Sequence, residues 1–194
     1  EISTTNTYGD GYGNPTQVLT TVTDKDPTSP YLNSAWQSTV STTFSNDTAN
    51  HCLGLPTVQT TTHAVPGQTT RTRTANFSVD ASHCRISQQV LQPSTAALKV
   101  TTTLGFDTCG NVNSVQVVGA TSSGSAMPAR STSFAYGTRC QLPETVTNAL
   151  GQSTALAYDY AFGVPTQSTD PNLLATLWQY DDFGRRTRET RPDG

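Results

Sequence analysis

The sequence is poor in charge and in long apolar runs. Charged residues make up 13% of its 194 residues, the net charge is −3, and lysine occurs only at Lys25 and Lys99. The densest basic group, residues 185–191, lies close to Asp181, Asp182, Glu189 and Asp193, so no broad basic patch is predicted to bind nucleic acid. No apolar run approaches the ~20 residues that a transmembrane helix requires, so no membrane span is predicted in this segment.

What the chain has in abundance is hydroxyl side chains. Serine and threonine together exceed a quarter of all residues, and many of them alternate with valine. Thr and Val favour the pleated, half-buried surface of a β-sheet, whereas strong helix formers are scarce here. The composition therefore predicts a nearly all-β chain.

One short pattern recurs seven times along the chain. Each copy has an aromatic residue, a polar turn, then Gly or Cys, then a Thr/Val-rich run, which is typical of a strand, a tight reversal and a second strand. The copies begin at Tyr8, Phe44, Phe77, Phe106, Phe134, Tyr158 and Tyr180. Their spacing shrinks from 36 to 22 residues, which predicts long irregular units over residues 1–105 and compact units over 106–194.

The turn chemistry supports the hairpin interpretation. Alternation is clearest from Val100 to Phe106, where every second side chain is expected on one buried face. Asp follows the aromatic residue in three copies and is expected to accept hydrogen bonds from turn amides, while glycine supplies the positive φ that a reversal requires. These turn residues are Asp107, Asp159 and Asp181, and Gly13, Gly110, Gly163 and Gly184.

A repeated hairpin buries little by itself and has to stack on its neighbours. The sequence therefore predicts consecutive antiparallel β-hairpins stacked side by side into a curved sheet, with the seven aromatic residues forming a stripe. The alternative fold is a pair of tandem immunoglobulin-like β-sandwiches, which are also Thr-rich with short strands. The closing Pro192-Asp193-Gly194 is a turn signal, so residues 1–194 are expected to be one array cut from a longer protein.

These units resemble the YD-repeat, or Rhs, family. The matching residues are Tyr180-Asp181-x-x-Gly184-Arg185 and Phe106-Asp107-x-x-Gly110-Asn111, with looser matches at Tyr158-Asp159 and at the Tyr8 unit. The resemblance implies a segment of the β-ribbon shell of bacterial polymorphic toxins and insecticidal toxin complexes, with related repeats in teneurins. The chain departs from the family in its long early units and in Cys replacing or preceding the turn glycine.

The function implied by the resemblance is structural. The chain is expected to be a non-catalytic wall segment of a large exported bacterial protein, secreted or at the cell surface, which encapsulates or presents a toxin cargo. Its expected partners are the remainder of its own longer chain and an enclosed toxin domain. The alternative is a recognition or adhesion module that binds a glycan or a surface protein, with Trp36 as the aromatic platform.

Four cysteines fall one per unit in four consecutive units, at Cys52, Cys84, Cys109 and Cys140. Pairing neighbours gives two disulfides, Cys52–Cys84 and Cys109–Cys140. Equivalent points on successive hairpins are about 9.5 Å apart, beyond the ~7 Å that a disulfide spans between Cα atoms, unless differing turn lengths close the gap. Bridged cysteines and free thiols at turn corners therefore both remain open.

No constellation of residues points to catalysis. The pairs His51-Cys52 and His83-Cys84 offer ligands that zinc uses, but adjacent strand residues point to opposite faces and no Cys-x-x-Cys spacing occurs. No phosphate-binding glycine loop and no Gly-x-Ser-x-Gly motif is present. We accordingly assign no catalytic, cofactor-binding or metal-binding residue and expect no cofactor.

Overall fold

Fourteen antiparallel strands follow one another in a computed structural model that describes residues 1–193; Gly194 of the predicted closing turn lies outside the described residues. The strands are β1 Ile2–Tyr8, β2 Pro15–Thr23, β3 Ala35–Asp47, β4 Cys52–Ala64, β5 Arg71–Asp80, β6 Arg85–Leu91, β7 Val100–Phe106, β8 Val112–Val118, β9 Arg130–Tyr136, β10 Pro143–Thr147, β11 Ser153–Asp159, β12 Val164–Thr169, β13 Ala175–Tyr180 and β14 Arg186–Thr190. A single 3₁₀ turn, Ala96–Leu98, precedes β7. None of the helical segments in the described part of the chain is long and apolar enough to cross a bilayer.

Each strand pairs with its neighbours in the sequence, so the order in the sheet runs from β1 to β14 without a crossover. The strands form seven hairpins, from β1–β2 to β13–β14. The predicted all-β fold of consecutive antiparallel hairpins is confirmed. The immunoglobulin-like alternative is wrong, because a sandwich divides its strands between two sheets joined by Greek-key connections, whereas here every neighbour is sequential.

The chain divides into two compact units. The first contains residues 1–103 and 118–128, and the second contains residues 104–117 and 129–194. The prediction that all 194 residues form one array, with long units before residue 106 and compact ones after it, stays a prediction.

In the first unit, the strand register places aromatic and aliphatic side chains on one face of the sheet and mainly hydroxyl side chains on the other. Directly opposed residues of antiparallel strands share a face, and residues two apart along a strand share it too. Ile2 opposes Val22, which opposes Trp36, and Phe77 opposes Gln89. One face therefore carries Ile2, Tyr8, Val18, Val22, Trp36, Val40, Phe44 and Phe77. The other face carries mainly hydroxyl side chains, among them the row Thr39, Thr62 and Thr72.

The second unit shows the same separation. Phe134 opposes Val146, which opposes Thr154, while Ser133 opposes Thr147, which opposes Ser153. The aromatic face of this unit carries Phe134, Tyr136, Leu156, Tyr158, Trp178 and Tyr180. Along β9, β11 and β13 these aromatic side chains are half-buried, whereas the Ser, Ala and Gln side chains between them are exposed.

A proline lies opposite the aromatic residue in four hairpins, and a bulge follows it. The pairs are Tyr8 with Pro15, Phe44 with Pro56, Tyr136 with Pro143 and Tyr158 with Pro165. Proline cannot donate to the ladder, and a bulge is one of the few places in a sheet that accept it. The bulged residue is often a hydroxyl residue that bonds back across the hairpin: Thr16 Oγ1 donates to the carbonyl of Thr7 at 3.2 Å, and Thr57 Oγ1 to that of Thr43 at 3.1 Å.

The connection between β12 and β13 contains a strained residue. Leu173 has φ +66° and occupies the turn position that Gly151 occupies, with φ +78°, in the connection between β10 and β11. An L-residue in this left-handed region costs about 1–2 kcal/mol relative to glycine. The Leu173 side chain, 83% exposed, contributes little packing to offset that cost.

Replacing Leu173 by glycine is therefore expected to raise the free energy of unfolding by roughly 1 kcal/mol, because the backbone strain disappears. Urea denaturation followed by circular dichroism measures the change. The matched control is Gly151→Leu, which introduces the same strain into open space and should lower stability by a similar amount. A destabilised Leu173→Gly variant would contradict this account.

Candidate functional site

The turns inside the hairpins hold the densest polar contacts of the chain. In the fourth hairpin, Asp107 Oδ1 accepts hydrogen bonds from the backbone amides of Cys109 and Asn111, both at 2.9 Å. The amide of Gly110, at φ +89°, donates to the carbonyl of Asp107 at 3.1 Å. One carboxylate thus organises a five-residue loop, as the sequence predicted for an Asp that follows the aromatic residue.

The same five-residue turn also joins one hairpin to the next. Asn148 Oδ1 accepts from the amides of Leu150 and Gln152, and Asp170 Oδ1 accepts from those of Asn172 and Leu174. The aromatic repeat did not predict these two connecting turns, because they contain no aromatic residue. The signal was present as Asn148-x-x-Gly151, an Asx residue three positions before a glycine.

Hydrogen bonds from the turn lower the pKa of Asp181 and of Asp80. The amide of Arg185 is the main cause that lowers the pKa of Asp181, whose Oδ2 also accepts from Arg185 Nε at 2.7 Å. In the third hairpin, the hydroxyl of Ser82 is the leading cause that brings the pKa of Asp80 to about 2, with further contributions from His83 and Arg85. The bonds that order these loops are therefore strongest when the carboxylates are ionised.

Tyrosine hydroxyls fasten the fifth, sixth and seventh hairpins each to the hairpin before it. The hydroxyl of Tyr180 donates to the carbonyl of Pro165 at 2.7 Å, and that of Tyr158 to the carbonyl of Pro143 at 3.0 Å. The hydroxyl of Tyr136 donates to the carbonyl of Val112 at 3.3 Å. Each acceptor is the first or second residue of the preceding return strand. The fifth hairpin makes this contact through Tyr136, since β9 continues two residues beyond Phe134.

Two disulfides connect neighbouring turns. Cys52 is bonded to Cys84 and Cys109 to Cys140, with Cα–Cα distances of 5.0 and 6.2 Å. This pairing of neighbours is the bridged alternative that the sequence left open, and the expected gap of about 9.5 Å is closed by the loops. Cys84 and Cys140 have φ of +51° and +54°, so each lies at a left-handed turn position. Because Cys52 and Cys84 are oxidised, their sulfurs are not the thiolates that zinc binds.

In each hairpin turn, one residue directly precedes the residue with positive φ. In the fourth, fifth and sixth hairpins, this preceding residue touches the turn of the next hairpin along the chain. Cys109 is bonded to Cys140, and the guanidinium of Arg139 lies 4.6 Å from the ring centroid of Tyr160. Phe162 packs against Gly184, where an added Cβ would come within 2.8 Å of the Phe162 ring. We call this residue the knob. A knob contact and a tyrosine hydroxyl bond together form the joint between two hairpins.

Trp36, the predicted ligand platform, is half-buried on the aromatic face of the first unit. The ring of Tyr31 meets it edge-on with centroids 6.0 Å apart. A recess of about 180 Å³ beside Trp36 is lined by Thr20, Val22, His63 and neighbouring residues. Partial cover by Tyr31 leaves less of the indole for stacking, and ligand binding at Trp36 stays a prediction.

One further pair of titratable groups is formed by Tyr160 and Glu144. Tyr160 donates its hydroxyl to Glu144 Oε1 at 2.8 Å, and this bond is the main cause that raises the pKa of Tyr160. Among residues 1–193, no group of three or more His, Cys, Asp or Glu side chains is arranged to hold a metal ion.

Residues 161–194 match the family model described as RHS Repeat. A search of the curated proteins finds no match. The chain superposes on the Photorhabdus luminescens Tc holotoxin pore with a TM-score of 0.61 and 11% identity, covering 98% of this chain and 13% of that one. It also superposes on the TcdB2–TccC3 structure lacking the hypervariable C-terminal region, with a TM-score of 0.57 and 12% identity, covering 93% of this chain and 13% of that one.

At these identities the two structures establish a shared fold. The chain spans about an eighth of the length of each structure that it matches. The matched region of the family model begins in the sixth hairpin and includes the whole of the seventh, where Tyr180-Asp181-x-x-Gly184-Arg185 lies.

The first prediction from this geometry concerns pH. The pKa of Asp181 is lower in the folded chain than the ordinary Asp value of 3.8, so its ionised carboxylate stabilises the fold above pH 3.8. That stability is lost as the pH falls through the pKa that Asp181 has in the folded chain. Asp181→Asn keeps the amide acceptor, as Asn148 shows, and removes the titration. The variant should therefore lose less stability than the parent chain between pH 5 and 2.

Urea denaturation at several pH values measures this difference. Identical pH profiles for the parent chain and Asp181→Asn would contradict the role given to the turn carboxylate.

The second prediction concerns the bridge between the fourth and fifth hairpins. It closes a chain separation of 31 residues, so loss of the bridge in Cys109→Ser/Cys140→Ser should lower the free energy of unfolding by about 3–4 kcal/mol. Cys109→Ser/Cys140→Gly should recover about 1 kcal/mol of that loss, because glycine accepts the left-handed backbone of Cys140. Denaturation under oxidising conditions measures both, and equal stability of the two variants would argue against strain at Cys140.

Proposed function

We propose that the chain, as an Rhs/YD-repeat protein, forms a non-catalytic wall segment of a larger exported shell that encloses or presents a toxin. The observation that carries the proposal is the stack of seven sequential hairpins joined only to their neighbours. A wall needs lateral continuity, and this strand order supplies it. The likeness to Tc toxin structures supports the same assignment.

The low burial of the chain also supports a wall. Its accessible surface is 12459 Å², whereas a compact monomer of its mass, 20.7 kDa, would expose about 8,900 Å². Among residues 1–193 the buried residues are Cys52 and Ala75, 2% and 8% exposed, and no large side chain is fully buried. A sheet with so little interior of its own gains stability when further chain covers one of its faces, and a shell provides that cover.

The two kinds of face suit the two sides of a wall. The half-buried aromatic face offers apolar area to other parts of the same longer chain, and the Thr/Ser face remains well hydrated. We propose that the partners are the remainder of that chain and an enclosed toxin domain. Two disulfides suit the oxidising setting of a secreted protein.

The test is a structure of the complete protein that contains residues 1–194, determined by cryo-electron microscopy. We expect the hairpins to continue into flanking hairpins on at least one side and one face to line an enclosed cavity. A separate globular domain tethered outside any shell would overturn the proposal. Hydrolysis of a broad substrate panel, abolished by a single substitution in the chain, would overturn its non-catalytic part.

A further inference from the structure

We infer that the Cys52–Cys84 disulfide is a redox-sensitive clamp, whose reduction by a thiol lets the turns of the second and third hairpins separate. The inference concerns two neighbouring hairpins inside the first unit and does not rest on the wall proposal. It follows from where the backbone pairing between β4 and β5 ends and from what spans the gap beyond that point.

Backbone pairing between the second and third hairpins stops well before their turns. Residues 58–63 of β4 pair with residues 71–76 of β5. Residues 52–57 of β4 and residues 77–80 of β5 continue toward the turns, and within the described part of the chain the β4–β5 ladder does not include them. Over these stretches the two hairpins are held together by side chains and not by a backbone ladder.

In the second unit a tyrosine hydroxyl spans the equivalent gap. The pair between β12 and β13 that lies nearest the turns is Gln167 with Leu177. Beyond that pair, the hydroxyl of Tyr180 donates to the carbonyl of Pro165 at 2.7 Å. The turn ends of these two hairpins are therefore connected by a hydrogen bond that contains no sulfur.

The third hairpin has a valine at the tyrosine position. Val79 directly follows the bulge in β5, as Tyr180 directly follows the bulge in β13. Pro56 lies opposite the aromatic residue that begins the second repeat, as Pro165 does in the sixth. Because valine has no hydroxyl to donate to the Pro56 carbonyl, the disulfide takes the place of the tyrosine bond between these two hairpins.

The bridge is open to attack by a thiol such as glutathione, because Cys84 is exposed whereas Cys52 is buried. The thiolate of one glutathione attacks Cys84 Sγ, and Cys52 leaves as a thiolate that takes up a proton. A second glutathione thiolate attacks the glutathione sulfur of this mixed disulfide, which releases Cys84 and forms oxidised glutathione. The bridge gains two electrons and two protons, and exposed disulfides are among those most easily reduced.

Reduction replaces a covalent bond with two weak thiol contacts across the gap. Cys52 Sγ lies 3.2 Å from the carbonyl oxygen of Ala81, and Cys84 Sγ lies 3.8 Å from that of Asn50. A thiol is a weak donor, so we expect the two turns to separate and the buried Cys52 to become accessible. The clamp would thus be closed in an oxidising compartment and open in a reducing one.

The Cys109–Cys140 bridge has different surroundings. Beside it, the hydroxyl of Tyr136 donates to the carbonyl of Val112 at 3.3 Å, and Asn111 Nδ2 donates to the carbonyl of Cys140 at 2.9 Å. Both hydrogen bonds persist after reduction, because neither includes a sulfur. Reduction should therefore separate the turns at the Cys52–Cys84 bridge and leave those at the Cys109–Cys140 bridge together.

Equilibration of the purified protein in glutathione buffers, followed by alkylation with iodoacetamide and mass spectrometry, tests the clamp at each cysteine. Two turns that stay together after reduction favour closure of their bridge. The equilibrium constant for reduction should therefore be about tenfold larger for Cys52–Cys84 than for Cys109–Cys140, which two hydrogen bonds assist. In the reduced protein, Cys52 should react with iodoacetamide at a rate close to that of the exposed Cys84.

The variant Val79→Tyr supplies the missing hydroxyl opposite the Pro56 carbonyl, and its matched control Val79→Phe adds the ring alone. The tyrosine should make Cys52–Cys84 about two- to tenfold harder to reduce and should slow alkylation of Cys52, whereas the phenylalanine should do neither. Circular dichroism verifies that both oxidised variants are folded. Equal reduction constants for the two bridges, or a Cys52 that stays unreactive after reduction, would overturn the inference and leave the wall proposal untouched.

Discussion

The structure depends on lateral attachment between neighbouring hairpins, because the chain has almost no interior to hold it together. Backbone ladders join adjacent strands, and at the turns a tyrosine hydroxyl, a knob or a disulfide adds a second attachment. A net hydrogen bond contributes only about 0.5–1.5 kcal/mol. Stability must therefore come from many similar contacts repeated along the array.

Covalent and hydrogen-bonded attachments are distributed unevenly. The third hairpin begins its repeat with Phe77, which has no hydroxyl to donate, and there the Cys52–Cys84 bridge ties its turn to the second hairpin. The sixth and seventh hairpins have no cysteine and use Tyr158 and Tyr180 instead. The fifth hairpin uses both, through Tyr136 and Cys140. The Cys52–Cys84 disulfide therefore has a plain physical role where the tyrosine is missing, whereas Cys109–Cys140 adds to a tyrosine contact that is already present.

Much of the fold could be predicted from the sequence, since hairpins are local structures with local signals. The alternation from Val100 to Phe106 and the Asp107–Gly110 turn identify the fourth hairpin directly. The contacts between hairpins could not be predicted from the sequence. Nothing local says that the Tyr180 hydroxyl reaches Pro165, or that Phe162 packs on Gly184, because both depend on the register between strands of different hairpins. Pro165 lies within β12 at a bulge, although proline is normally excluded from the interior of a sheet.

The uncrossed strand order has a consequence for how such a chain changes length. Gain or loss of a whole hairpin shifts everything downstream by two strands, which keeps every later strand pointing in its original direction and every turn on its original edge. Duplication in units of two strands would thus leave existing contacts unchanged, whereas a single added strand would reverse all that follow. Growth by whole hairpins is the change this architecture tolerates best.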